Sequence, residues 1–233
     1  GLRQSKKGSL MSSFLYLDIE TVPTTDVDRI AEIAATITCP GNISKPESIA
    51  AWEAEKKPKL VEEAVAKTSF SGAYGKVCCI GWAWDDGMSF SAIQDDERSL
   101  VQSAFDRITN GAPQYGLTTI VGHYVANFDL RFLMQRAIVL GIALPTWFPC
   151  DPKPWSREVF DTMTAWAGAK DSISLDNLCK VLGIPGKGDV DGSMVAGMWQ
   201  RGEYEAIAEY CRQDVERVRN VHRKMRVALG EAA

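Results

Sequence analysis

Residues 14–23 read FLYLDIETVP, and the reading of this stretch decides the rest. A short apolar run ends in Asp18, which marks a buried strand that delivers an acid at its C-terminal end, with Thr21-Val22-Pro23 as the stop. Asp18 and Glu20 stand two apart, and extended backbone projects i and i+2 to one face. Two anions on one face beside an apolar strand repel each other and lose hydration. A cation would join them. Equally, the strand could end early and leave both as solvated loop acids, and the local sequence keeps both readings open.

Outward from this strand, residues 26–67 are helix-prone with thin apolar content, a break at Pro40-Gly41 and a second helical run from Pro46. They are expected to form an insertion packed on one side of the core. Residues 76–84, KVCCIGWAW, predict a central strand. Asp85-Asp86-Gly87 is a hairpin turn, with a return strand over 88–93. A helix over 96–109, a short strand over 118–122 and a helix over 128–140 follow from the apolar spacing. Residues 143–157 are too rich in proline for either element. A last short strand over 158–161 precedes helical patches near 162–168, 174–182 and 192–200, and an amphipathic helix over 203–229. This order predicts an α/β fold, a mixed central sheet flanked by helices.

Composition sets outer limits. The 233 residues are 45% hydrophobic and 24% charged, which excludes a disordered, collagen-like or coiled-coil chain. No apolar run approaches the ~20 residues of a membrane span. Residues 1–10 precede Met11, are polar and basic, and are expected to be a tag remnant, leaving 11–233 as a single domain. The formal net charge is −4, and Arg3, Lys6 and Lys7 lie in the first ten residues without an acid, so the remainder is near −7. This argues against a sequence-reading DNA binder with a broad basic face. It suits an enzyme whose carboxylates gather cations. Six cysteines make no C-x-x-C pair and only His123 and His222 are present, so a zinc site of the usual spacing is not expected. Buried free thiols in a reducing cytosol are the plainer expectation.

Two further sites carry acids. Asp129 follows GHYVANF (122–128) where a turn enters a helix; an acid there also suits a plain helix cap. Tyr210 and Asp214 stand four apart on the last helix, along the edge of an apolar stripe of Tyr204, Ile207, Cys211, Val215, Val218, His222 and Met225. Such a pair also serves as a simple packing hydrogen bond.

Taken in order, D-x-E after a strand, N-F-D at a helix start and Y-x-x-x-D on a C-terminal helix resemble the DEDD superfamily of 3′→5′ exonucleases, in its Y-type branch. The likeness runs over residues 14–221 through FLYLDIETVP, VGHYVANFDLRFL, SISLDNLCKVLGIPGKGDVDGSMV and AEYCRQDVERV, and is greatest to stand-alone relatives of the family-B DNA polymerase proofreading domain. It implies a ribonuclease-H-like fold and metal-dependent release of nucleoside 5′-monophosphates from a 3′ end. The implied partner is a single-stranded nucleic acid, DNA before RNA, and the implied cofactor two Mg²⁺ or Mn²⁺ ions. Asp18 would bridge both ions, Glu20 and Asp214 would complete the water-activating site, and Asp129 would hold the second. Tyr210 would orient the attacking water, while Thr21, Asn127, Phe128 and Lys187 would touch substrate. Two divalent ions stabilise attacking and departing oxygens on opposite sides of phosphorus, and hard ions want oxygen ligands. In the family an Asn usually stands five residues before the second-motif Asp. Here that position is Tyr124, with Asn127 as a partial substitute. The same chemistry on RNA, and a non-catalytic binding module, are the alternatives that this pattern leaves.

Other segments carry less. Residues 183–188 lack the spacing of a phosphate-binding P-loop and read as an inter-helix turn. Asp161-Thr162 reads as a helix cap. Asp189 and Asp191 lack the acid an EF-hand needs. Trp147, Phe148 and Trp155 read as packing residues, with base stacking as the other option.

Overall fold

The computed structural model describes residues 12–113, 117–153, 156–186, 188 and 190–230. Strand β1 (Ser12–Val22) is followed by helices α1 (Val27–Thr36), α2 (Pro46–Glu55) and α3 (Lys57–Ala66), and by a 3₁₀ turn, Lys67–Phe70. The hairpin strands β2 (Lys76–Trp84) and β3 (Phe90–Ile93) come next, then α4 (Glu97–Gly111), β4 (Leu117–Gly122), α5 (Asp129–Leu140) and β5 (Val159–Asp161). Helices α6 (Thr162–Ala167) and α7 (Leu175–Val181), a second 3₁₀ turn (Gly192–Met194), α8 (Val195–Gln200) and the long α9 (Tyr204–Ala228) complete the order. The five strands lie in the order β3-β2-β1-β4-β5, antiparallel from β3 to β1 and parallel from β1 to β5. This is the mixed, helix-flanked sheet that the patterning predicts, and it agrees with the ribonuclease-H-like type that the resemblance implies.

Alternation along β1 divides the core. Leu15, Leu17 and Ile19 pack with α4 and α5 residues such as Leu100, Phe105 and Leu133. Tyr16, on the other face, packs with Val215, Val218 and Val221 of α9. His222 is buried there in a ring of Phe14, Tyr16 and Phe160, with its Nδ1 3.0 Å from the Tyr16 hydroxyl. Burial pushes its imidazole down to about 4, with Arg226 adding to the shift.

Three boundaries differ from the sequence reading. β1 does not stop at Thr21 but pairs with β2 as far as Val22–Lys76, because the antiparallel neighbour continues the ladder past the apolar run. Glu20 and Thr21 are therefore strand residues. The run from Pro46 is two helices, since Pro58 lacks the N–H that would continue the first through Lys57. The return strand starts at Phe90, not 88. Trp147 and Phe148 pack on Phe105, in the core and not at a site, while Trp155 lies outside the described residues.

One glycine sets how close α9 comes. Gly81 of β2 pairs with Asp18, and a Cβ there would meet Cys211 Sγ at 2.8 Å and the Cys211 carbonyl at 3.1 Å. The helix backbone rests directly on the strand at this point. Gly81→Val is expected to cost about 1–3 kcal/mol, read by chemical denaturation, because α9 has to lift off the sheet.

Candidate active site

Asp18 lies in mid-strand, where β2 covers one edge of β1 but β4 no longer covers the other. The parallel β1–β4 ladder ends at Tyr16–Val121. Beyond it the Ile19 N–H donates to Asp129 Oδ1 at 3.0 Å, so the first residue of α5 completes the hydrogen bonding of β1. A buried Asp129 is thereby fixed beside Asp18, which is more than a helix cap does. Burial pushes its carboxyl up to about 8. The Asp18 carboxyl is pushed well above the carboxylate range, first by burial and then by Glu20, Asp214 and Asp129.

α9 delivers the rest. Tyr210, Cys211 and Asp214 are all buried. The Tyr210 hydroxyl hydrogen-bonds Asp214, and its phenol is held far above its ordinary value by burial and the surrounding acids, so it stays protonated. Arg217, one turn on, donates to Asp214 at 2.5 Å and to the Gly186 carbonyl at 3.3 Å. Cys211 places its thiol 3.4 Å from Asp18 Oδ2 and donates to it. Its pKa is raised by burial, so it is a neutral donor here. The sequence reading missed Cys211 and Arg217. Their signal was helical spacing alone: Cys211 and Arg217 lie three residues on either side of Asp214.

The residues fit a hard divalent ion. Among the described residues, Asp18, Glu20 and Cys211 each bring one donor atom within 4.8 Å of the others. Asp129 and Asp214 act on Asp18 electrostatically but are held by Ile19 and Arg217. Among the described residues, Arg217 pairs with Asp214 in this group of four acids, and oxygen donors of this kind suit divalent cations.

Asp161 does more than cap α6. Besides the Met163 and Thr164 N–H groups it accepts from Tyr124 and Ala126 N–H at 3.0 and 3.2 Å, so it clamps the turn that carries Asp129. Tyr124 has a left-handed φ of 62° and an exposed side chain. Asn adopts that backbone more readily than Tyr, which gives a backbone reason for an Asn at this position. Asn127 is exposed and does not line the cleft described next. Lys187 and Asp189 lie outside the described residues.

A cleft of about 650 Å³ opens beside Glu20. Thr21 and Phe128 line it, together with Gly192, Ser193 and Lys67, Ser69 and Phe70 of the 3₁₀ turn. A side chain added at Gly192 would meet the Tyr210 hydroxyl at 4.0 Å, so the phenol lies next to the cleft wall.

Residues 76–231 match the family described as "predicted 3′-5′ exonuclease related to the exonuclease domain of PolB". The chain belongs to this family. It is a nuclease, a DEDD-type relative of the exonuclease domain of PolB, and exonuclease domains of this type use divalent metals. The matched span includes Asp129, Tyr210 and Asp214 but begins after Asp18 and Glu20, which the fold brings to them. The exonuclease shares its fold with the family B DNA polymerase from the hyperthermophilic archaeon Pyrobaculum calidifontis, with a TM-score of 0.55 at 14% identity. The match covers 92% of this chain and 24% of that polymerase. None of the curated proteins matches the sequence. Among the described residues, no helix of the exonuclease is long and apolar enough to cross a membrane.

The raised carboxyls make a pH prediction for the metal-free exonuclease. Asp129 protonates near 8 when folded and near 3.8 when unfolded, so its stabilising contribution is complete below 3.8 and lost as pH rises through 8. His222 acts oppositely, but only below its unfolded value of 6.5. Between pH 6.5 and 8 the melting temperature should therefore fall as pH rises, and Mn²⁺ should reverse the trend because it binds the ionised acids. A metal-free melting temperature that rises over this range would contradict the buried cluster.

Proposed function

We propose that this exonuclease releases nucleoside 5′-monophosphates from the 3′ end of single-stranded DNA, with two Mg²⁺ or Mn²⁺ ions held by Asp18, Glu20, Asp129 and Asp214. The observation that carries the reading is the carboxylate cluster around Asp18, whose member Glu20 lines the cleft with Thr21 and Phe128. Residues 11–233 would act as one exonuclease unit, since β1 and α9 come from opposite ends of the sequence and meet at Asp18 and Cys211. Buried, unbridged Cys78, Cys79, Cys179 and Cys211 suit a reducing cytoplasmic setting.

Divalent ions bound by the four acids would supply the charge that makes water nucleophilic at neutral pH and stabilises the departing 3′ oxygen. The protein's own groups do the placing. Phe128 and Thr21 would hold the terminal nucleoside in the cleft. The Tyr210 hydroxyl, protonated and next to that cleft, would orient the attacking water by donating or accepting one hydrogen bond. Arg217 would hold Asp214 in place, and Asp161 would hold the turn that presents Asp129.

Digestion of DNA and RNA oligonucleotides labelled at the 5′ or the 3′ end, with Mg²⁺ or Mn²⁺, tests this directly. A 5′ label should report a ladder shortened one nucleotide at a time, and a 3′ label should leave at once as mononucleotide. Closed circular strands should survive. Cleavage of circles, or release of the 5′ label first, would overturn the polarity. Faster loss of RNA would move the substrate to RNA.

A further inference from the structure

The insertion between β1 and β2 ends in a wall of the cleft, and its residues are ones the reaction above does not use. The 3₁₀ turn Lys67–Phe70 is bolted to the end of β1. Thr21 Oγ1 donates to the Ser69 carbonyl at 2.7 Å, and the Thr24 N–H donates to Thr68 Oγ1 at 2.9 Å. Thr68 is buried, and a Cβ at Gly75 would meet its carbonyl at 2.5 Å, so the chain closes tightly behind the turn. The turn is thus held at fixed distance from Glu20. On this anchored support Phe70 is 74% exposed, a cost in apolar surface that packing does not explain. Phe70 and Lys67 line the cleft with Phe128.

We infer that Lys67 and Phe70 form a subsite for the nucleotide next to the 3′ terminus, with Phe70 stacking on its base and Lys67 meeting a backbone phosphate. Single-strand sites combine these two chemistries, since every base has a π-face and every linkage a charge. Glu63, one helical turn before Lys67, lines the same wall and opposes a phosphate there, so Lys67 also offsets an unfavourable charge. The inference rests on the reading of the cleft as the mouth for a strand end.

The test measures binding and turnover separately. Anisotropy of a 5′-fluorescein oligothymidylate in Ca²⁺ gives Kd, and digestion in Mn²⁺ gives KM and kcat. Phe70→Ala should raise Kd and KM about tenfold with kcat within about twofold of the parent, and Phe70→Trp should restore affinity. Lys67→Gln should weaken binding and reduce the slope of log Kd against log salt by about 0.7, one single-strand phosphate contact. Glu63→Gln should tighten binding. Lys59→Gln, on the same helix but outside the cleft, should change nothing. Unchanged Kd and salt slope in both the Phe70 and Lys67 variants would overturn the subsite, as would a fall in kcat without a change in Kd. If the parent protein binds the oligothymidylate but leaves it intact in Mn²⁺, the proposed reaction fails while the Kd series still decides the subsite.

Discussion

Asp18→Ala is expected to lower turnover of a single-stranded oligonucleotide by about three orders of magnitude or more, with no loss of stability in the metal-free protein. The two halves of this expectation have one cause. Asp18 sits between Glu20, Asp214 and Asp129, and burial together with these neighbours holds its carboxyl far above the ordinary range. Removing it takes away the central acid of the proposed metal site, so the electrostatic stabilisation of the reaction would go with it. In the absence of metal the same change removes a carboxyl that burial and the neighbouring acids disfavour. The loss of one Cys211 thiol contact is small beside that. A residue of purely structural importance would lose stability and keep activity per folded molecule. Turnover together with the melting temperature in chelator separates the cases, and a fully active variant would remove Asp18 from the site.

Tyr210→Phe should lower turnover by about 10- to 10³-fold, between a positioning loss and the loss of a transition-state donor. The phenol is buried, bonded to Asp214 and protonated at any working pH, so it acts through one hydrogen bond and not as a base. The Phe variant keeps the ring and its packing in α9. Its stability should change by no more than the bond to Asp214, about 0.5–1.5 kcal/mol. Metal affinity should hold, because the hydroxyl is not among the proposed ligands. Unchanged turnover with a lowered melting temperature would reduce Tyr210 and Asp214 to a packing pair.

Much of this arrangement was legible in the sequence because the residues that build it are also the ones that punctuate it. FLYLD reads as a strand from its apolar run, and the stripe from Ile207 to Met225 reads as a buried helix face; both packed accordingly. The acids stood out because they sit where carboxylates are costly. What escaped was set by partners distant in the sequence. β1 continues through Glu20 and Thr21 because β2 pairs with it, and no local pattern announces that. The contact between Cys211 and Asp18 depends on Gly81 letting α9 touch the sheet, a matter of packing across 193 residues of sequence. Asp161 looked like an ordinary cap, and its clamp on Tyr124 and Ala126 spans two loops. The thin insertion reads as ending at residue 67, and only the bonds from Thr21 and Thr24 show the turn that follows fastened to the end of β1.

The acids around Asp18 are proposed to hold catalytic divalent ions. Calorimetric titration of Mn²⁺ into the chelator-treated exonuclease tests this most directly, run beside Asp18→Ala and with the melting temperature followed at each ratio. Saturable binding that raises the melting temperature of the parent and is lost in the variant is the predicted result. A folded parent that takes up no Mn²⁺, or a variant that binds it as the parent does, would contradict the account.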